Sequence, residues 1–276
     1  MSFVILVLVV VLEKFSAWRK VLQRDGLWWR WHALAAASEQ QPWLRLLLLL
    51  ALPLGLLSLL LWLAGQWFYG VLLLPLELVV VLYALGRGEI PAALGGFRDA
   101  WRRGDVQGAA HAAERDLGLD EHEDAAGLFA GVQSYLLWQA FQGFFVIVFW
   151  YALLGPVVVL GYRLLALLAE HKAQPALSEC AQALRHGLDW LPVRLLATSF
   201  ALVGNFTAVM AVLLHELLGW DTSAQALLAK CGRVADEQEQ EAAGTEGLLQ
   251  LDSLWHLLVR SATLWMAVLA VLTLLW

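Results

Sequence analysis

Residues 44–64 form an almost unbroken apolar run, rich in leucine and carrying one early charge, Arg45. About 21 residues at 1.5 Å each make a helix of about 31 Å, the thickness of a bilayer's hydrocarbon core. In lipid every backbone N–H and C=O must be paired within its own segment, so such a run is helical. Further apolar runs follow at 68–85, 143–169, 195–218 and 257–276. The pattern predicts an all-α, polytopic helical membrane protein. It would have about four to five transmembrane helices, a short N-terminal helix and amphipathic cytoplasmic helices. Composition points the same way, with 61% of residues hydrophobic and 15% charged, against about 25% charged in a soluble domain. Several of the fifteen tryptophans stand near the ends of apolar runs (Trp43, Trp62, Trp67, Trp150, Trp220, Trp255, Trp276). That placement fits an aromatic belt at the headgroup level.

Residues 1–12 are apolar, but a helix of that length reaches only about 18 Å and does not cross. The segment lacks a basic n-region and a small-residue cleavage site, so it reads as a retained helix rather than a signal peptide. Lys and Arg set the orientation. Lys14, Arg19, Lys20, Arg24 and Arg30 precede the first span, and Arg87, Arg98, Arg102, Arg103 and Arg115 follow the second. The turn at 65–67 has none, which places the N-terminus and 86–142 in the cytoplasm. Gly155-Pro156 interrupts the 143–169 run and leaves two topologies open. A full crossing puts 170–194 outside with Lys172, Arg185 and Arg194, whereas a re-entrant pair returns it to the cytoplasm. The expected organisation is a basic N-terminal segment (1–43), a transmembrane hairpin (44–85) and a cytoplasmic helical section (86–142). Transmembrane helices with a 170–194 loop (143–218), an acidic loop or helix (219–256) and a last span (257–276) follow.

A net charge of −6 argues against a nucleic-acid binder, which would show a basic stripe. Cys180 and Cys231 have no metal-ligand spacing, so neither a zinc site nor a disulfide framework is expected. No phosphate loop, dinucleotide fingerprint, zinc-protease helix or nucleophile elbow is present. Nothing supports nucleophilic catalysis, and no metal or cofactor is expected. Internal repeats are not evident, which weakens a transporter reading.

The polar section offers more. Arg98 and Arg102 fall on one helical face beside Trp101. The plain reading is an amphipathic helix on anionic headgroups, and the sharper one is a phosphate-binding patch. Asp120 with Glu123 resembles a helix N-cap, and the acid-rich 120–124 stretch reads as a solvated first turn rather than a metal site. Gln133, Gln139 and Gln142 punctuate the apolar stretch that follows. Inside the second span, Glu77 must be neutral, paired or facing a cavity. Asn205, beside Gly204 and Thr207 in the fourth span, reads as interhelical glue. A transporter or channel organised around Glu77 and Asn205 is the least favoured alternative.

Several strings together resemble one family. They are Glu13-Lys14-Phe15-Ser16-Ala17-Trp18-Arg19, Arg24-Asp25-Gly26, Leu85-Gly86-Arg87-Gly88, Phe97-Arg98-Asp99-Ala100-Trp101-Arg102-Arg103-Gly104-Asp105, Glu114-Arg115-Asp116-Leu117-Gly118-Leu119, Phe149-Trp150-Tyr151, Leu154-Gly155-Pro156, Tyr162-Arg163-Leu164-Leu165 and Leu188-Asp189-Trp190-Leu191-Pro192-Val193-Arg194. As a set, covering roughly residues 3–220, they resemble the AmpE family of Gram-negative inner-membrane proteins. The resemblance implies a regulatory or sensory role in β-lactamase induction and cell-wall recycling, and a place in the bacterial inner membrane.

The AmpE family is in turn similar to the CbiB/CobD membrane enzymes of cobalamin synthesis, which join an amino-alcohol phosphate to a corrinoid carboxylate. Arg115, Asp116, Leu119 and Asp120 match an arginine-aspartate string of those enzymes. Their downstream acidic signature aligns with Val132-Gln133-Ser134 and Tyr135-Leu136-Leu137-Trp138, where Gln133, Leu137 and Trp138 replace two glutamates and an asparagine. Leucine and tryptophan neither bind magnesium nor move a proton, so the corrinoid chemistry is not expected. What the resemblance leaves is a scaffold with Arg98, Arg115, Asp116, Asp120, Gln133, Asp189 and Arg194 as candidate ligand-binding residues. They would hold a small anionic or phosphorylated ligand, or else anchor loops as ion pairs. The first expectation is a regulator without turnover, acting through such a ligand or a membrane or cytoplasmic protein partner. The alternative is a CbiB-like ligase or transferase with altered chemistry.

Overall fold

The computed structural model describes residues 5–8, 25–35, 41–66, 72–86, 90–120, 124–171, 173–235 and 244–275, and every regular element among them is helical. After a helical turn at 5–8 come α1 (Gly26–Ala35), α2 (Pro42–Gln66), α3 (Leu73–Ala84), α4 (Ile90–Ala93), α5 (Gly95–Arg102) and α6 (Val106–Ala112). They are followed by α7 (Ala125–Ala140), α8 (Val146–Leu154), α9 (Pro156–Ala169), α10 (Pro175–Val203), α11 (Phe206–Glu216), α12 (Ala224–Ala235) and α13 (Gly244–Leu275). Two π-helical stretches extend the α-helices, Ala113–Leu117 after α6 and Phe141–Phe145 between α7 and α8.

Three helices among the described residues are long and apolar enough to cross a membrane: Pro42–Gln66, Ala125–Leu154 and Glu246–Leu275. The protein is an all-α helical membrane protein, but its helix boundaries depart from the apolar runs. The 68–85 run yields α3, only 12 residues long. Pro75 stands in its first turn, where a residue without an amide hydrogen is tolerated. The turn expected to close the hairpin lies partly outside the described residues. The helix expected from 143 begins at Ala125, because Gln133, Gln139 and Gln142 interrupt the hydropathy without interrupting the helix. The last helix likewise starts at Gly244 rather than 257. Of residues 1–24 only 5–8 are described; Lys14, Arg19, Lys20 and Arg24 lie outside, as do Lys172 and the acidic 236–241 stretch.

Two compact units divide the chain. The first comprises Met1–Arg87 and Val146–Asp189. Its core joins Trp28 of α1, Leu46, Leu49 and Leu50 of α2, Leu164, Leu165 and Leu168 of α9, and Leu177 and Ala181 of α10. Leu47, Leu48, Leu52 and Leu56 of α2 stay exposed, an apolar face suited to lipid as its solvent. Pro53 inside α2 cannot donate to the carbonyl four residues back. That carbonyl belongs to Leu49, and the Trp31 indole N–H donates to it at 3.2 Å. Gly155 ends α8 at φ 81° and ψ −169°, a conformation that side chains with a Cβ avoid, and Pro156 starts α9 at its first position.

The second unit comprises Gly88–Phe145 and Trp190–Trp276. Here α5 packs on α6 and α13, α7 on α12 and α13, and α11 on α12. Asn205, expected in mid-span, instead caps α11, its side chain accepting from the Ala208 N–H at 3.1 Å. Its own N–H donates to Ala235 O at 3.0 Å. A Cβ on Gly204 would stand 2.7 Å from that same carbonyl, so the chain breaks where α12 approaches backbone to backbone. The run read as one span thus becomes the end of α10 and the separate α11.

Candidate functional site

The α5 helix buries Phe97, Ala100 and Trp101, the three- and four-residue spacing of an amphipathic face. Trp101 stacks on Phe97 at 5.2 Å and on Phe129 of α7 at 5.3 Å. Arg98 reaches Asp252 of α13, Nη2 to Oδ1 at 2.7 Å. Arg102, read on the same face, instead lies 3.6 Å from exposed Asp99. The helix is therefore tied to α7 through an aromatic stack and to α13 through an ion pair.

Arg115 and Asp116 face each other as a two-pronged pair, Nε and Nη2 each donating at 2.8 Å to one carboxylate oxygen. That hydrogen-bonded guanidinium holds the Asp116 carboxyl below the usual carboxylate range. A Cβ on Gly96 would meet Asp116 Oδ2 at 2.8 Å, so the pair leans on the start of α5. Asp120 is exposed and lies outside any helix. The N-cap expected at Asp120 belongs to Asp124, which accepts from the Gly127 N–H at 2.8 Å. The first turn begins later than the acid cluster suggests, because Gly127 is the amide that a capping carboxylate three residues earlier can reach. Gln133 is buried on α7.

Asp189 is 2% exposed and accepts from the Tyr162 hydroxyl at 2.8 Å, with Arg185 Nε 3.6 Å from its other oxygen. Burial pushes its carboxyl up to about 6 against the opposing pull of Tyr162 and Arg185. Arg194 is buried, and its guanidinium donates to the carbonyls of Trp190 (2.9 Å), Leu217 (2.6 Å), Glu216 (3.0 Å) and Gly219. It lies 4.1 Å over the Trp190 ring. Three of those carbonyls end or follow α11, so the cation satisfies and charges the helix's negative pole. Glu77 accepts from the Tyr151 hydroxyl at 2.6 Å, the paired state among those expected for it.

Arg115 and Asp116 touch each other, and Arg98, Asp189, Arg194 and Glu77 are held by partners outside the candidate set. Asp189 and Glu77 belong to the first unit and the others to the second. Of the residues that complete these contacts, Tyr151 and Tyr162 stand in the family-like strings without a role read from them, and Asp252 carries no sequence signal. Arg98 and Asp252 are 154 positions apart, and Tyr151 and Glu77 are 74 apart. An open groove of about 420 Å³ in the first unit is lined by Leu60, Leu63, Ala64, Leu72 and Leu76 and touches none of the candidates.

Comparison with known proteins places the chain in a family. The family profile described as "Regulatory signalling modulator protein AmpE" matches residues 1–275. Protein AmpE of Shigella flexneri is 27% identical over 177 residues, 59% of this chain and 61% of that relative. The match thus spans less than two thirds of the relative's length. No solved structure matches the chain. A family profile that runs through nearly every residue, over an all-helical chain with membrane-length apolar helices, shows that this chain belongs to the AmpE family of regulatory signalling modulators.

Proposed function

We propose that the chain is a bacterial inner-membrane regulator, N-terminus in the cytoplasm, that modulates β-lactamase induction in response to cell-wall recycling without turnover of its own. The observation that carries this reading is the double attachment of α5. Its apolar face stacks through Trp101 on Phe129 of the Ala125–Leu154 helix, and its polar face pairs through Arg98 with Asp252 of α13. A small anionic ligand or a protein partner that competes for Arg98 changes the tether between α5 and a membrane-length helix. Such competition is how a bound charge biases a packed element. The Arg115–Asp116 pair beside Gly96 offers a second charged contact next to the same helix.

The test is β-lactamase induction by a β-lactam in a Gram-negative host whose own copy of this protein is deleted and replaced by variants. Deletion should change the induction level, wild type should restore it, and Arg98→Ala and Asp252→Ala should each shift it in the same direction. Induction that is indifferent to deletion defeats the proposal. Steady product formation by the purified protein, abolished by Asp116→Ala, defeats the part that denies turnover and favours a CbiB-like enzyme.

A further inference from the structure

In the first unit, α1, the first turns of α2 and the residues between α9 and α10 bring together side chains with buried polar atoms that have no hydrogen-bond partner. His32 is 5% exposed, and its Nε2 has no hydrogen-bond partner. Arg45 buries Nε and Nη2, both unpaired, and Gln174 buries an unpaired Oε1. The His32 and His171 rings meet edge to face at 5.2 Å, and Trp29 closes one side, 5.5 Å from His32 and 4.6 Å from His171. Burial and then the like charges of His171 and Arg45 hold the His32 pKa below its ordinary value, while a hydrogen bond with the Gln174 side chain opposes them. A guanidinium does not deprotonate in proteins. Arg45 is therefore a permanent cation with two buried N–H groups unsatisfied, an arrangement native structures seldom keep without a partner.

We propose that Arg45, His32, His171 and Gln174 form a binding site for a phosphate group, carried by an anionic lipid headgroup or by free phosphate. Nε–H and Nη2–H are the two parallel donors on one edge of a guanidinium, the pair that grips two phosphate oxygens at once. The His32 Nε2 supplies a third donor when protonated, and a nearby phosphate dianion favours that protonation. The Gln174 amide offers nitrogen or oxygen according to its flip. A metal ion is a poor occupant, since the fixed charge of Arg45 repels it. Arg45 stands in the fourth position of α2, a helix of membrane length, and so lies at headgroup depth where lipid phosphates are abundant. The buried atoms of Arg45, His32 and Gln174 are shielded from water, which strengthens their charge interactions.

The experiment follows thermal unfolding of the full chain in maltoside micelles. One series adds inorganic phosphate, a second adds phosphatidylglycerol, and a third adds zwitterionic phosphatidylcholine as a control. Saturable stabilisation by phosphate identifies a free-phosphate site. Stabilisation by phosphatidylglycerol without phosphate or phosphatidylcholine identifies a headgroup site. In either case Arg45→Met should weaken the apparent affinity about tenfold or more. Because it removes an unpaired buried cation, it should leave the ligand-free protein at least as stable as wild type. His171→Phe keeps the ring against Trp29 and should weaken the response in part. Stabilisation that survives Arg45→Met undiminished, or no stabilisation by phosphate or phosphatidylglycerol, overturns the proposal. So does a loss of ligand-free stability in Arg45→Met, which would make Arg45 a structural residue.

Discussion

Asp189 should make the protein less stable at neutral pH than an uncharged replacement would. The carboxyl is 2% exposed and accepts the Tyr162 hydroxyl, and Arg185 approaches only to 3.6 Å. Its pKa stands at about 6 in the fold against an ordinary 3.8. A folded value above the unfolded one means that the folded protein binds the proton more tightly. The favourable contribution is complete below the unfolded value and is lost as pH rises through about 6. A rise of this size corresponds to about 3 kcal/mol between those limits. Asp189→Asn keeps an oxygen for Tyr162 and removes the charge. Thermal unfolding in detergent from pH 4 to 8 should show the variant more stable above pH 7. The gap should shrink steadily toward pH 4, where wild type is protonated. A variant that unfolds earlier than wild type at pH 7.5 would refute the reasoning, because it would mean that Arg185 more than compensates for the burial of the charge.

Three further perturbations probe the same packing. Arg194→Met removes the side-chain donor from four carbonyls, of which Glu216 O keeps the Gly219 N–H, and should destabilise the fold by about 1 to 3 kcal/mol, read as a lower midpoint in chemical denaturation, with Arg194→Lys recovering only part. Gly155→Ala forces a Cβ into a glycine-only conformation and should cost about 1 to 3 kcal/mol, measured by the same midpoint. A double-mutant cycle on Arg98 and Asp252, half-exposed at 26% and 45%, should return a coupling of at most about 1 kcal/mol, since its importance is proposed to lie in signalling rather than in stability.

Local chemistry made part of this protein legible. The 44–64 run predicts α2 to within two residues at each end, because a leucine run of membrane length has no other stable state in lipid. Gly155-Pro156 marks a helix break for equally local reasons. Hydropathy failed where polar residues are compatible with helix. Gln133, Gln139 and Gln142 hid the continuity of Ala125–Leu154, and the apolar 195–218 run hid the break at Gly204. The candidate residues were found as charged or amide side chains, but their partners were not. Nothing near Arg98 points to Asp252, and nothing near Arg194 points to the end of α11.

The sequence alone determined the class of fold and the kinship, since helix formation in a bilayer depends on segment length and apolarity, and family strings are read in one dimension. Only the tertiary structure decided which charges meet. Arg98 finds Asp252, Tyr151 finds Glu77, and Arg45 Nε and Nη2 and His32 Nε2 are buried without a partner, because helix packing joins residues far apart in the chain. A buried polar group is fixed by whichever partner that packing brings within hydrogen-bond reach, and no local period records the choice.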